Sequence, residues 1–451
     1  MTGDRTLRPT RRDFLAAASV GGAGTSLAGC LDRLPWRERT SNGRVPANSV
    51  DAVLSADGPS IEWPDPIEPS SASIADAHDR VDELLAQIPD PITVADVPNG
   101  VVRESIASNR RDAIDGRDAS DVARYRHLRE TSDARGAARH SRTTYDAIEL
   151  DHESLVADLR TERTDVLGTV RTQLDAIDYR GPETVEGTLR AALVARQREA
   201  DLRRAERTLG DWRAGLGDTV IDLGEAAGDV ERASATASIW SHLIDRYEAG
   251  QSDVVPLESS FSDVIDRSLE RIETVDFPEQ VGDTWYGAVG VDDLDDRGLE
   301  FALWRAGGEV IDAADGVETA SVEGRLGTAL YRALEFEVRY RAFETFRDWV
   351  RSGSFAWPAS VSEIEAERSA ALLAAETARE SVTGPTLGAL RCAERLQSLE
   401  WTDAAVRRAA DNDPETRVSL DDEYRDYALR RAELTALPDA VETFRDRLRT
   451  D

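Results

Sequence analysis

Chemistry in this chain would show first at histidine, because there are only five in 451 residues. His127, His140 and His152 fall in one stretch that reads as continuous helix. At 100° per residue, neighbouring members of this trio differ by about 140° and about 120°, so one straight helix cannot aim them at a single ion. His152 lies in an apolar stripe between Ile148 and Leu155, with Glu149 three residues before it. Glu149-x-x-His152 is the spacing that sets a carboxylate and an imidazole on one helix face, as carboxylate-bridged di-iron bundles do. These two residues form the candidate metal pair. The di-iron pattern needs a second Glu-x-x-His, and the sequence holds none. The competing account of His152 is a core or interface histidine.

The run Asp292-Asp293-Leu294-Asp295-Asp296-Arg297-Gly298 invites comparison with a calcium loop. Counted from Asp293, it has acids at positions 1 and 3 and glycine at 6. Position 5 is Arg297 and position 12 is Trp304, where the loop requires a carboxylate. The match fails, and the run reads as a solvated acidic loop. Aromatic residues concentrate between Trp285 and Trp357. There Phe336, Tyr340 and Phe343 share a helix face, Trp349 extends it, and Arg339, Arg341 and Arg347 interleave, which allows cation–π stacking. Phe336, Tyr340, Phe343 and Trp349 are the candidate lining of a groove for an apolar or sugar-like ligand or a partner helix. The competing account is the densest core of the C-terminal half.

Composition closes several other routes. All 55 basic residues are arginine, so no P-loop lysine and no lysine Schiff base is available. The two cysteines, Cys30 and Cys392, form no CxxC or zinc-ribbon spacing. No Gly-x-Ser-x-Gly elbow or His-Glu-x-x-His zinc helix occurs. With 87 acids against 55 bases, a net charge of −32 opposes nucleic-acid binding through phosphates. A carboxylate-based hydrolase is the least favoured reading, resting only on the abundance of acids. No cofactor is implied.

These residues must be positioned by helices. Ser70 or Ser71 caps a helix with Ile74, Ala77, Val81, Leu84 and Leu85 on one face. From about Ser120 to Tyr179 the pattern is helical without proline. After Gly181-Pro182, Leu202, Ala205, Leu209, Trp212, Leu216, Val220 and Leu223 recur at three and four residues, a bundle seam. Gly210, Gly215, Gly217, Gly224 and Gly228 are places for that helix to bend or break. Gly250–Pro256 is the best internal boundary. The expected fold is all-α: an elongated bundle of long antiparallel helices in two subdomains, residues 70–250 and an aromatic-rich 251–451.

The first thirty residues carry an address. Thr10-Arg11-Arg12-Asp13-Phe14-Leu15 resembles the twin-arginine export signal, with Arg11, Arg12, Phe14 and Leu15 in its key positions. An uncharged Ala- and Gly-rich stretch follows, too short and weakly apolar to span a bilayer. It closes on Leu27-Ala28-Gly29-Cys30, which resembles a lipobox. The resemblance implies removal of residues 1–29 and a diacylglyceryl group on Cys30, hence stable anchoring by two acyl chains. Abundant acids, no lysine and few large aliphatics resemble the proteins of halophilic archaea, in which molar salt screens surface repulsion. Residues 30–69, interrupted by prolines, are expected to be a tether. The chain is therefore expected at the cell membrane, facing outside, bound through lipid on Cys30. Its expected role is binding or scaffolding with a surface protein partner, and the alternative is capture of a small ligand or metal.

Overall fold

The computed structural model describes residues 44–119, 123–291, 294 and 296–449. The export and lipidation residues Arg11, Arg12, Phe14, Leu15 and Cys30 lie outside them, as do Asp292, Asp293 and Asp295 of the acidic loop. Helix dominates, and the expected all-α class is what the chain adopts. Helix α1 (Ser71–Leu85) starts where the sequence places it: the Ser70 side chain accepts from Ser73 N–H, and Ala77, Val81, Leu84 and Leu85 are buried. Helices α2 (Gly100–Asp118), α3 (Arg124–Asp146), α4 (His152–Asp175), α5 (Val185–Asp211) and α6 (Val220–Ala249) complete the first half. In the second half are α7 (Glu258–Val275), the short α8 (Thr284–Ala288), α9 (Arg297–Val322), α10 (Leu326–Ser352), α11 (Val361–Ser381), α12 (Leu387–Ala410) and α13 (Asp421–Arg449).

Helix α3 packs most closely on α6, with α1 and α2 on its other sides. Gly136 and Gly228 make that crossing tight, since a β-carbon on Gly228 would stand 2.8 Å from the Gly136 carbonyl oxygen. In the second half α10 packs on α9 and α13, and α11 and α12 on α13. Two antiparallel strand pairs tie distant segments: β1 (Val45–Pro46) with β4 (Arg417–Val418), and β2 (Arg180–Pro182) with β3 (Val254–Pro256). One apolar core runs through both halves, from Leu193 and Trp240 to Leu330, Phe346 and Leu437.

Three expectations change. The supposed tether is docked from Val45 onward. Ala47–Leu54 forms a 3₁₀ helix that buries Val50 and Val53 against α11 and α12. Arg190 donates to the Pro66 carbonyl at 2.7 Å, and Arg368 to the Ala56 carbonyl at 3.0 Å. The helical stretch from 120 to 179 breaks at Ala147–Asp151, where Asp151 caps α4 by accepting from Ser154 N–H. The seam from Leu202 to Leu223 is interrupted between Asp211 and Val220, by the loop containing Gly215 and Gly217. Gly224 and Gly228 stay within α6, where α3 needs their missing side chains.

Candidate functional site

The residues singled out for metal are not arranged as a metal pair. Glu149 is exposed in the turn between α3 and α4, so the helical i, i+3 geometry is lost. His152 opens α4 instead of lining an apolar stripe, and its Nε2 lies 2.9 Å from the Ala147 carbonyl oxygen. Among the described residues no group of three or more His, Cys, Asp or Glu is placed to hold a metal ion.

The aromatic segment is mainly core. Phe336 and Phe343 are buried, and Phe343 meets Phe277 edge to face at 4.9 Å between centroids. Tyr340 stacks on Phe336 and donates to Glu344 at 3.1 Å. Trp349 is half-buried beneath Arg431, whose guanidinium carbon is 3.9 Å from the ring centre. The four side chains are occupied with one another and their neighbours, because helix α10 runs through the middle of its half with apolar contacts around most of its girth.

The cavity with the features of a binding site lies elsewhere. A groove of about 480 Å³ opens between α3, α5, α6 and α12, with Trp63 and Pro64 of the docked N-terminal segment at its edge. Five arginines line it: Arg126, Arg129, Arg196, Arg204 and Arg232. Three are engaged. Arg129 grips Asp201 through two hydrogen bonds, 2.8 and 2.9 Å, and the Trp240 indole N–H donates to the same carboxylate at 2.9 Å. Burial works against the Arg129 charge, but Asp201 outweighs it and the guanidinium is held more firmly protonated than usual. Arg126 pairs with Glu130 at 2.6 Å and lies over the Trp63 ring. Arg232 bridges Asp133 at 2.8 Å and Asp229 at 2.6 Å.

The other two differ. Arg196 lies over the Tyr331 ring at 4.9 Å, and its buried Nε has no hydrogen-bond partner among the described residues. Arg204 is exposed and forms no ion pair among them. Both project from α5, eight residues apart, about 12 Å along the helix axis. The wall hydroxyls of Ser132 and Thr236 are tied to the carbonyls of Arg129 and Arg232. Tyr125 closes the aromatic side, its hydroxyl donating to Gln197 at 2.7 Å. The arrangement offers two guanidiniums without an acid partner among the described residues and flat aromatic walls, which suits recognition of an anion.

The far wall belongs to a buried charge cluster. Glu394 of α12 lines the groove and accepts from the Tyr331 hydroxyl. Behind it Arg391 donates to Glu335 at 2.9 Å and to Glu433 at 3.3 Å. Glu335 also receives Arg339 and Arg332, and Glu433 receives Arg395 and Arg430. A second carboxylate, Glu199 on α5, caps α10 by accepting from Gly327 N–H at 3.0 Å and Thr328 N–H at 2.7 Å. The far wall is thus held by a charge cluster within the second half, and the Glu199 carboxylate joins α5 of the first half to the start of α10.

Fold and groove together define an all-α protein with an arginine-lined cleft where its two halves meet. Residues 72–253 match the family model described as a domain of unknown function (DUF8262). Residues 258–446 match a second, described as a domain of unknown function (DUF8264). No curated protein and no solved structure matches the chain. The groove draws residues from both matched segments: Arg196 and Arg204 from the first, Leu390, Glu394 and Gln397 from the second.

Proposed function

We propose that this is a binding protein, anchored to the outer face of the cell membrane through lipid on Cys30, whose groove takes a small anionic ligand. One observation carries the ligand class: Arg196 and Arg204 line the groove without an acid partner among the described residues, in a chain with 32 excess negative charges. In such a chain a guanidinium has many carboxylates to choose from. Two that have no acid partner among the described residues, in a concave and partly aromatic site, favour an external anion bearing charge at both ends. The sequence supports the location, through the export motif and the Cys30 lipobox in their required order.

Calorimetric titration with citrate and pyrophosphate, at fixed ionic strength, tests the ligand class. One saturable site is expected, weakened at least tenfold in Arg196→Ala and Arg204→Ala. Affinity unchanged in both variants sinks the groove reading. For the location, Cys30→Ser should move the protein from the membrane fraction to the medium, and an unchanged distribution would remove the anchor. The scaffolding reading has its own observation. Val94, Val101, Ile148, Leu150 and Leu216 are exposed on the turns and helix starts at one end of the α1–α6 half, an apolar set available to a partner protein.

A further inference from the structure

A second cavity, of about 370 Å³, opens where α4 ends, between α5 and α6 and beside the β2–β3 pair. Small-molecule sites usually measure about 300–1,000 Å³, so a compact ligand suits it. It shares no lining residue with the arginine-lined groove. Arg198, which lines it, follows Arg196 by two positions on α5, about 200° around the helix, so the two cavities lie on opposite sides of α5. Much of the wall is apolar, built from Ile177, Val194, Ile244 and Val254 with Tyr179 and Tyr247. The Tyr179 hydroxyl is taken up by Glu199 at 2.8 Å and the Gly324 carbonyl at 2.9 Å.

Two opposite charges stand in this wall without meeting. Arg198 is half-buried, and its Nη2 donates to the Gln173 carbonyl at a long 3.4 Å. Its buried Nε has no hydrogen-bond partner among the described residues. Glu248, in the last turn of α6, is exposed at the mouth and forms no ion pair among those residues. It acts on Arg198 through space, yet the two make no salt bridge. Burial, the largest influence on Arg198, lowers its pKa in spite of Glu248, whereas at Arg129 burial is outweighed by Asp201. The other acid of the wall, Asp178, is balanced by Arg180 at 3.4 Å. A gap between an undersatisfied guanidinium and an unpaired carboxylate fits a molecule with a carboxylate at one end and a cationic nitrogen at the other. The C-terminal end of α6 adds the negative pole of its dipole on the Glu248 side.

We propose that this cavity binds an apolar α-amino acid, its carboxylate on Arg198, its ammonium at Glu248 and its side chain against Ile177, Val194, Ile244 and Val254. The site does not depend on the anion groove. Calorimetric titration of the full chain with leucine, at fixed ionic strength, should show one saturable site per chain. Isocaproate lacks the ammonium and isoamylamine lacks the carboxylate. Each should bind about tenfold more weakly than leucine, because each forfeits one charge-assisted contact. Glu248→Gln should weaken leucine by about tenfold and leave isocaproate unchanged, whereas Arg198→Gln should weaken both. Arg196→Ala, in the groove, should alter neither. Glu248 is exposed, so its variant keeps the test open if Arg198→Gln fails to fold. No saturable leucine site, isocaproate bound as tightly as leucine, or leucine affinity unchanged in Glu248→Gln would each overturn the proposal.

Discussion

Replacing Glu335 by glutamine removes one negative charge from the buried cluster behind the groove and leaves side-chain shape nearly unchanged. In the wild type, burial alone would raise the Glu335 pKa. Arg391 first, then Arg339 and Arg332, outweigh burial and hold it at about 2, against an ordinary 4.5. A difference of roughly 2.5 units at 1.36 kcal/mol per unit makes the ionised form worth about 3 kcal/mol to the fold. The folded-state pKa is depressed, so this contribution is complete above pH 4.5 and is lost as pH falls towards 2. Urea unfolding of Glu335→Gln, followed by helical circular dichroism at constant salt, should therefore show a loss of about 3 kcal/mol at pH 7. The gap should narrow below pH 4.5 and close near pH 2. Ionic strength should change it little, because a buried cluster is weakly screened. An equal midpoint at pH 7, or a gap that persists undiminished to pH 2, refutes the reasoning.

Gly228→Val drives a side chain into the Gly136 carbonyl and should cost at least the upper end of the usual 1–3 kcal/mol for overpacking, read as a lower melting temperature. Gly168→Ala, on α4 with nothing within 4 Å of the added carbon, should instead stabilise by about 0.4–1 kcal/mol. Arg368→Met strands the buried Asp403, now held only by the Tyr427 hydroxyl, and frees the carbonyls of Ala56 and Asp57. It should cost about 3–5 kcal/mol, and brief thermolysin treatment should then cut beside Val50 and Val53 of the docked segment, which native packing buries. Burial pushes the Cys392 thiol up to about 11, so iodoacetamide at pH 8 should label it in urea and leave the native chain unmodified.

The α1 start was legible because Ser70 and the apolar spacing from Ala77 to Leu85 are both local signals. The break after α3 also had a local signal, in Asp151-x-x-Ser154. It competes with an apolar rhythm that runs on from Ile148 to Leu155 without proline or glycine. The glycines of α6 misled for a physical reason. Glycine weakens a helix and also lets a neighbour approach, and only the packing of α3 separates the two. The docking of residues 45–69 was not legible at all. It depends on Arg190 and Arg368, which arrive from over a hundred and over three hundred positions away.

The groove was hidden for a related reason. With 55 arginines, nothing in the sequence marks Arg196 and Arg204; what distinguishes them is a place on the groove wall combined with the lack of an acid partner among the described residues, a property of three dimensions. The hydrogen bond between His78 and His127, whose Nε2 atoms lie 2.8 Å apart, was equally invisible, since the two are 49 positions apart with no motif between them. Assembly from distant parts has a mechanical consequence. Tyr331, beneath Arg196, donates to Glu394, and Arg391 joins Glu394 to Glu335 and Glu433. The groove wall therefore rests on the same buried charges that hold α10, α12 and α13 together. A substitution such as Glu335→Gln should loosen the Arg196 side of the groove before it touches Arg204, which stands exposed on α5, away from the cluster. Anion affinity in that variant should consequently resemble Arg196→Ala more than Arg204→Ala, although Glu335 itself is not part of the groove lining.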